Sequence, residues 1–89
     1  MTDDDTDDYA FTEMQYKLYH LLEKKRGHDV LIRDMYYCLY GVPKDMLVSV
    51  RDMQQKLAPI IARINDKLVM EVIRPGQLKQ TYRLTRHSD

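Results

Sequence analysis

Cysteine is nearly absent: Cys38 stands alone in 89 residues. An internal disulfide framework is excluded, and a reducing, cytoplasmic setting is the expectation. Glycine is scarce too. Gly27, Gly41 and Gly76 are isolated, so no Gly-rich loop can cradle a phosphate chain. His20, His28 and His87 are scattered, and no Cys/His pair has zinc-ligand spacing. The run Asp3–Asp8 lacks the glycine and closing Glu of an EF-hand loop. No apolar stretch approaches the roughly 20 residues of a membrane span, and no apolar signal region follows Met1. Beyond residue 13 the carboxylates are single and mixed with bases, so paired acid/base chemistry has no candidate. The expectation is a chain with no enzymatic activity, no cofactor, no metal and no membrane partner.

What is present is a soluble globular composition, 44% hydrophobic and 31% charged. The length allows one domain with a modest core, burying about 60–65% of its unfolded surface. The formal net charge of zero hides a division. Residues 1–13 carry six acidic and no basic residues. Residues 14–89 carry fourteen basic and eight acidic residues, a net of +6. The start, MTDDDTDD, cannot offset ordering entropy with buried surface, so residues 1–10 read as a disordered acidic arm. Such an arm serves as a solubility tail, as an electrostatic competitor folded back on a basic face, or as a docking segment. Residues 11–86 read as the folded domain and 87–89 as a C-terminal tail.

The chain then reads as three helices and a hairpin. Thr12 and Gln15 have capping-box spacing, and Phe11 with Tyr16 supplies a hydrophobic staple. Met14, Leu18, Leu21 and Leu22 recur at helical spacing, predicting a helix over 13–26 that ends in Lys24, Lys25 and Arg26, with Gly27 as the C′ residue. Val30, Leu31 and Ile32 form a run too short for an independent strand but able to pair with another element. A second helix is predicted over 33–40, with Met35, Leu39 and Cys38 inward. Cys38 is read as a core residue rather than a nucleophile, and Tyr36, Tyr37 and Tyr40 as core and rim packing. Gly41-Val42-Pro43 makes a turn. A third helix is predicted over 44–57, with Leu47, Val50, Met53 and Leu57 inward. Pro59 should kink or restart it before the stripe Ile60, Ile61, Ile64. Strands are predicted over 68–74 and 79–85, across a turn at Pro75-Gly76-Gln77.

This order suggests an α+β fold: a helix-turn-helix whose third helix is followed by a β-hairpin wing. A helix placed after such a turn enters the major groove of duplex DNA. Arg and Gln are among the side chains with bidentate geometry for base edges. Arg51, Gln54 and Gln55 meet that need, with Val48 on the same outer face. Lys44 and Lys56 suit phosphate contacts, which fix register without reading sequence. Arg74, Lys79, Arg83 and Arg86 make the hairpin basic, suited to the backbone or the minor groove. A merely solvated helix face and a charged edge strand would use the same residue types.

Some of these residues resemble a known family, the winged-helix DNA-binding domains of OmpR/PhoB-type response regulators. Tyr40-Gly41 stands where that family has a Trp-Gly pair. Val48-Ser49-Val50-Arg51-Asp52-Met53-Gln54-Gln55-Lys56-Leu57 falls into the frame of its V-x-I-x-x-L-R-x-K-L recognition helix. Thr81-Tyr82-Arg83-Leu84 stands at its Gly-Tyr-Arg-Leu motif, preceded by Glu71-Val72-Ile73-Arg74. The resemblance covers about residues 14–86. The chain departs from the pattern at Gln54, where the family has Arg, and at Pro59 with the Ile60–Asp66 extension. Its hairpin loop is also longer. The resemblance implies a stand-alone winged helix, as in small regulators of phages and mobile elements. The expected function is sequence-specific binding of double-stranded DNA in transcription regulation, by a single domain or a homodimer. The alternative is a protein-interaction module that captures a polymerase subunit or other transcription-machinery protein, with the acidic arm docking or mimicking nucleic acid. A dimer through the Ile60–Ile64 stripe is compatible with either.

Overall fold

Local caps decide where the helices begin. The computed structural model describes residues 10–42, 44 and 48–87; most of the acidic arm and the segment Asp45–Leu47 lie outside the described residues. Helix α1 spans Glu13–Lys24. Its capping box forms as predicted: the Thr12 hydroxyl accepts from Gln15 N–H at 3.3 Å, and Gln15 Oε1 accepts from Thr12 N–H at 3.2 Å. The staple takes another partner. Phe11 packs on Tyr19 at 5.2 Å between ring centroids, because Gln15, Leu18, Tyr19 and Leu22 form the buried stripe. Tyr16 lies off that stripe, is exposed and stacks on His20. The helix stops two residues before the predicted end, with Lys25 as its C-cap. Gly27 therefore is not C′. Its φ of 82° reverses the chain, and its N–H donates to the Leu84 carbonyl at 3.1 Å.

The short apolar run becomes strand β1, Val30–Leu31, and helix α2 follows directly as Ile32–Tyr40. Ile32, Met35 and Tyr36 are its buried residues. Cys38 is exposed, a correction to its core assignment. At about 100° per residue it falls well off the line through Met35, Tyr36 and the half-buried Leu39.

The third helix is the largest correction. Helix α3 spans Val50–Lys67, eighteen residues, and starts six residues later than predicted. Ser49 is its N-cap, its hydroxyl accepting from Asp52 N–H at 3.1 Å. That side chain satisfies a first-turn donor, so the helix starts there. Lys44 and Val48 thus precede the helix instead of riding on it. The helix runs unbroken through Pro59. Proline there costs the bond to the Gln55 carbonyl, but Gln55 and Pro59 are both exposed, so water can satisfy that carbonyl. Met53, Leu57, Ile61 and Ile64 on the opposite side anchor both halves to the core. The stripe considered for a dimer is accordingly core: Ile61 and Ile64 are buried, and Ile60 packs against them partly covered.

Because α3 extends to Lys67, the next strand starts late. Leu68 is a buried helix cap, Val69 and Met70 are exposed, and β2 covers Glu71–Pro75. Strand β3 is Thr81–Arg86. The hairpin is part of a three-stranded antiparallel sheet in the order β1-β3-β2. Ile73 faces Leu84 in register, and both turn into the core. By strand alternation Arg74, Arg83 and Thr85 turn to the other face. Asn65 docks α3 on the sheet. Its Nδ2 donates to the Ile73 carbonyl at 2.9 Å and its Oδ1 accepts from Ile73 N–H at 2.8 Å. The largest fully buried side chains are Leu18, Leu22, Met35, Leu57, Ile64 and Leu84, so α1, α2, α3 and β3 all contribute. Among the described residues, no helix is long and apolar enough to cross a membrane.

Candidate nucleic-acid interface

The outer surface of α3 is polar because its apolar residues occupy the opposite side. Arg51, Gln54, Gln55 and Lys56 are all exposed on its first two turns. Arg51, Gln54, Gln55 and Ala58 follow the spacing of one helix face. Lys56 lies to one side, its Nζ 5.5 Å from the centre of the Tyr40 ring at the end of α2. Lys44 is exposed before the helix, and Val48 is half-buried against the core. Val48 thus packs inward rather than lying on the outer face.

Gln54 links this face to the hairpin. Its Nε2 donates to the Tyr82 hydroxyl at 3.4 Å. The hairpin carries the remaining cations at different places. Arg74 is exposed on β2, directly opposite Arg83 on β3. Lys79 is exposed in the connection between the strands. Arg86 lies at the far end of β3, opposite Glu71. The structure therefore brings Arg51, Gln54 and Gln55 together on one helix face beside the hairpin, and leaves Arg86 at the other end of the sheet.

Arg83 differs from the others in being held. Its Nε donates to Asp29 Oδ1 at 2.7 Å, with only a quarter of the side chain exposed. The other oxygen, Oδ2, accepts from Leu78 N–H at 2.9 Å. The Leu78 backbone bond, then Arg83, hold the Asp29 carboxyl below the ordinary carboxylate range, against the opposing effect of desolvation. The loop is fixed further by the Thr81 hydroxyl, which donates to the Leu78 carbonyl at 2.6 Å, and by Gly76 N–H, which donates to the Thr81 carbonyl at 3.0 Å. Glycine is required at 76 by crowding: a Cβ there would collide with Thr81 Oγ1 and the Asp29 carboxylate. The strand connection is thus a built loop tied to the residue before β1.

At the opposite end of the sheet, Tyr19 OH donates to Glu71 Oε1 at 2.8 Å, and Arg26 pairs with Glu71 Oε2. Lys67 Nζ, at the end of α3, reaches Gln15 Oε1 at 2.6 Å and the Ala10 carbonyl at 2.9 Å. The chain before α1 is therefore pinned to the C-terminal end of α3, away from Arg51.

Asp29, Asn65 and Tyr82 organise this surface, and none was a sequence candidate for it. The one signal for Asp29 was a lone carboxylate directly before the Val30–Ile32 run. Among the described residues no group of three or more His, Cys, Asp or Glu is placed to hold a metal ion. No protein-family model, no curated protein and no solved structure matches this chain.

Proposed function

We propose that this chain is a winged helix-turn-helix protein that binds double-stranded DNA sequence-specifically and regulates transcription in the cytoplasm, without catalysing a reaction. The observation that carries the reading is the Gln54–Tyr82 contact. It joins the outer face of α3 to the hairpin, so base-reading side chains and cations of the strand connection share one surface. Arg51, Gln54 and Gln55 would read base edges in the major groove. Lys44, Lys56 and Lys79 would contact phosphates and set the register. The element order supports the same reading, since the helices α2 and α3 are followed by a hairpin that Gln54 ties to α3. A domain of this size would cover about 600–1,000 Å² of protein surface on DNA, so useful affinity would come from a dimer or tandem sites.

Selection from a random duplex library, followed by binding measured by fluorescence anisotropy across salt concentrations, tests the reading. A defined motif is expected, with affinity that falls linearly on a log–log salt plot. Arg51→Glu should abolish retention of the selected site while leaving the circular dichroism spectrum unchanged. Failure of the parent chain to retain any duplex at roughly 50 mM salt, where phosphate contacts are strongest, overturns it.

A further inference from the structure

The face of the sheet turned away from the core holds an arrangement that folding alone does not explain. Arg74 and Arg83 are direct cross-strand neighbours. Like charges placed opposite each other in a sheet are destabilising. Asp29 neutralises one guanidinium; Arg74 has no ion-pair partner among the described residues. Both arginines line one open concavity of about 260 Å³, together with Gly76, Gln77 and Thr85. Thr85 supplies a second, independent observation. Its Oγ1 is shielded from solvent and has no hydrogen-bond partner. A buried hydroxyl without a partner is uncommon in native structures and calls for a missing group.

We infer that Arg74, Arg83 and the Thr85 hydroxyl form a seat for one phosphate-type oxyanion, either free phosphate or a phosphodiester of bound DNA. Two guanidiniums and the Asp29 carboxylate sum to +1, which matches the single negative charge of a phosphodiester. Arg83 uses Nε for Asp29, which leaves its terminal nitrogens for the anion, and Arg74 offers a second fork suited to phosphate oxygens. The Thr85 hydroxyl, shielded from solvent, donates the bond it lacks once the flanking side chains part to admit the anion. Seating the anion relieves the repulsion between the two arginines and satisfies the orphan hydroxyl at once. The duplex source rests on the DNA-binding reading; the oxyanion chemistry does not.

The test has two arms, both on the full chain. In the first, inorganic phosphate is titrated at constant ionic strength and followed by proton–nitrogen NMR. Saturable shifts are expected at the Arg83 Nε–H and the Thr85 amide. Arg74→Gln and the near-isosteric Thr85→Val should each weaken them at least several-fold, with the thermal midpoint of Arg74→Gln equal to or above the parent's, since the cross-strand repulsion is removed. Linear shifts spread over all basic residues, or wild-type saturation in both variants, overturn the seat. In the second arm, the salt slope of duplex binding is compared between the parent and Arg74→Gln. A slope reduced by about 0.9 with unchanged sequence preference assigns the seat to a DNA phosphate. An unchanged slope beside saturable phosphate binding assigns it to free phosphate. Saturable phosphate binding with no duplex binding at all upholds the seat and removes the DNA reading instead.

Discussion

Asp29 Oδ1 accepts from Arg83 Nε at 2.7 Å, across 54 positions of sequence, while the same carboxylate takes the Leu78 N–H of the strand connection. One side chain before β1 therefore fixes both β3 and the loop that leads into it. Its carboxyl titrates below the ordinary value of 3.8 in the folded chain. A depressed folded-state value means that the stabilisation is fully present above the unfolded value and is lost as pH falls through the folded one. Acidification below about pH 4 should loosen the loop first, seen as a lower amide protection factor at Leu78. Asp29→Asn should show a smaller difference in urea midpoint between pH 7 and pH 3 than the parent. Equal differences in parent and variant would exclude Asp29 as the titrating lock.

Gly76 and Gly27 should respond differently to alanine. Gly76→Ala drives a Cβ into Thr81 Oγ1 and Asp29, and overpacking of this kind costs about 1–3 kcal/mol. Gly27 has φ of 82° but open space around it, so Gly27→Ala carries only the left-handed backbone penalty, about 1–2 kcal/mol. The distinguishing measurement is exchange protection at Leu78. Gly76→Ala should lower it, and Gly27→Ala should leave it intact at matched global stability.

Asn65 closes both backbone groups of Ile73. Asn65→Ala should destabilise the fold by about 1–3 kcal/mol in urea unfolding, the range for leaving buried polar groups unpaired. Asn65→Asp keeps the acceptor for Ile73 N–H but turns a carboxylate on the Ile73 carbonyl. It should be at least as damaging at pH 7, and should recover partly at pH 3, where the protonated acid can donate.

Removal of residues 1–8, which hold five aspartates, should raise affinity for non-specific duplex and steepen its salt dependence. The chain enters the fold at Ala10, beside Lys67. Arg51 lies sixteen residues up α3, about 24 Å away at 1.5 Å per residue. Nine extended residues span about 30 Å, so the acidic segment has the length to compete with phosphate at that face. Unchanged binding after removal would leave it a solubility tail.

The elements legible in the sequence were those governed by neighbours three or four residues apart. Thr12 with Gln15 set the start of α1, and Met53, Leu57 and Ile64 marked the buried side of α3. Boundaries decided by rivalry were less legible. The turn read at Gly41-Val42-Pro43 suggested a helix start at 44, but the Ser49 hydroxyl caps a helix that begins at Val50. Pro59 suggested a break, but the buried isoleucines beyond it held the helix together. The strand connection was not legible at all, because its organiser, Asp29, lies almost fifty positions away from the loop it holds. On the proposed interface, Arg51, Gln54 and Gln55 could be grouped from spacing alone. The Asp29–Arg83 pair, the Tyr82 contact and the unpaired Thr85 hydroxyl needed the fold.

The Asn65 clamp has one more effect. An outer strand normally offers its free N–H and C=O groups to any extended chain that drifts past. Here the middle of β2 is already occupied by a side chain that imitates a neighbouring strand, and the opposite margin, β1, is two residues long. The middle of the β2 margin is therefore closed to an added strand. The same amide that seats the longest helix thus also denies that stretch of backbone to an incoming strand.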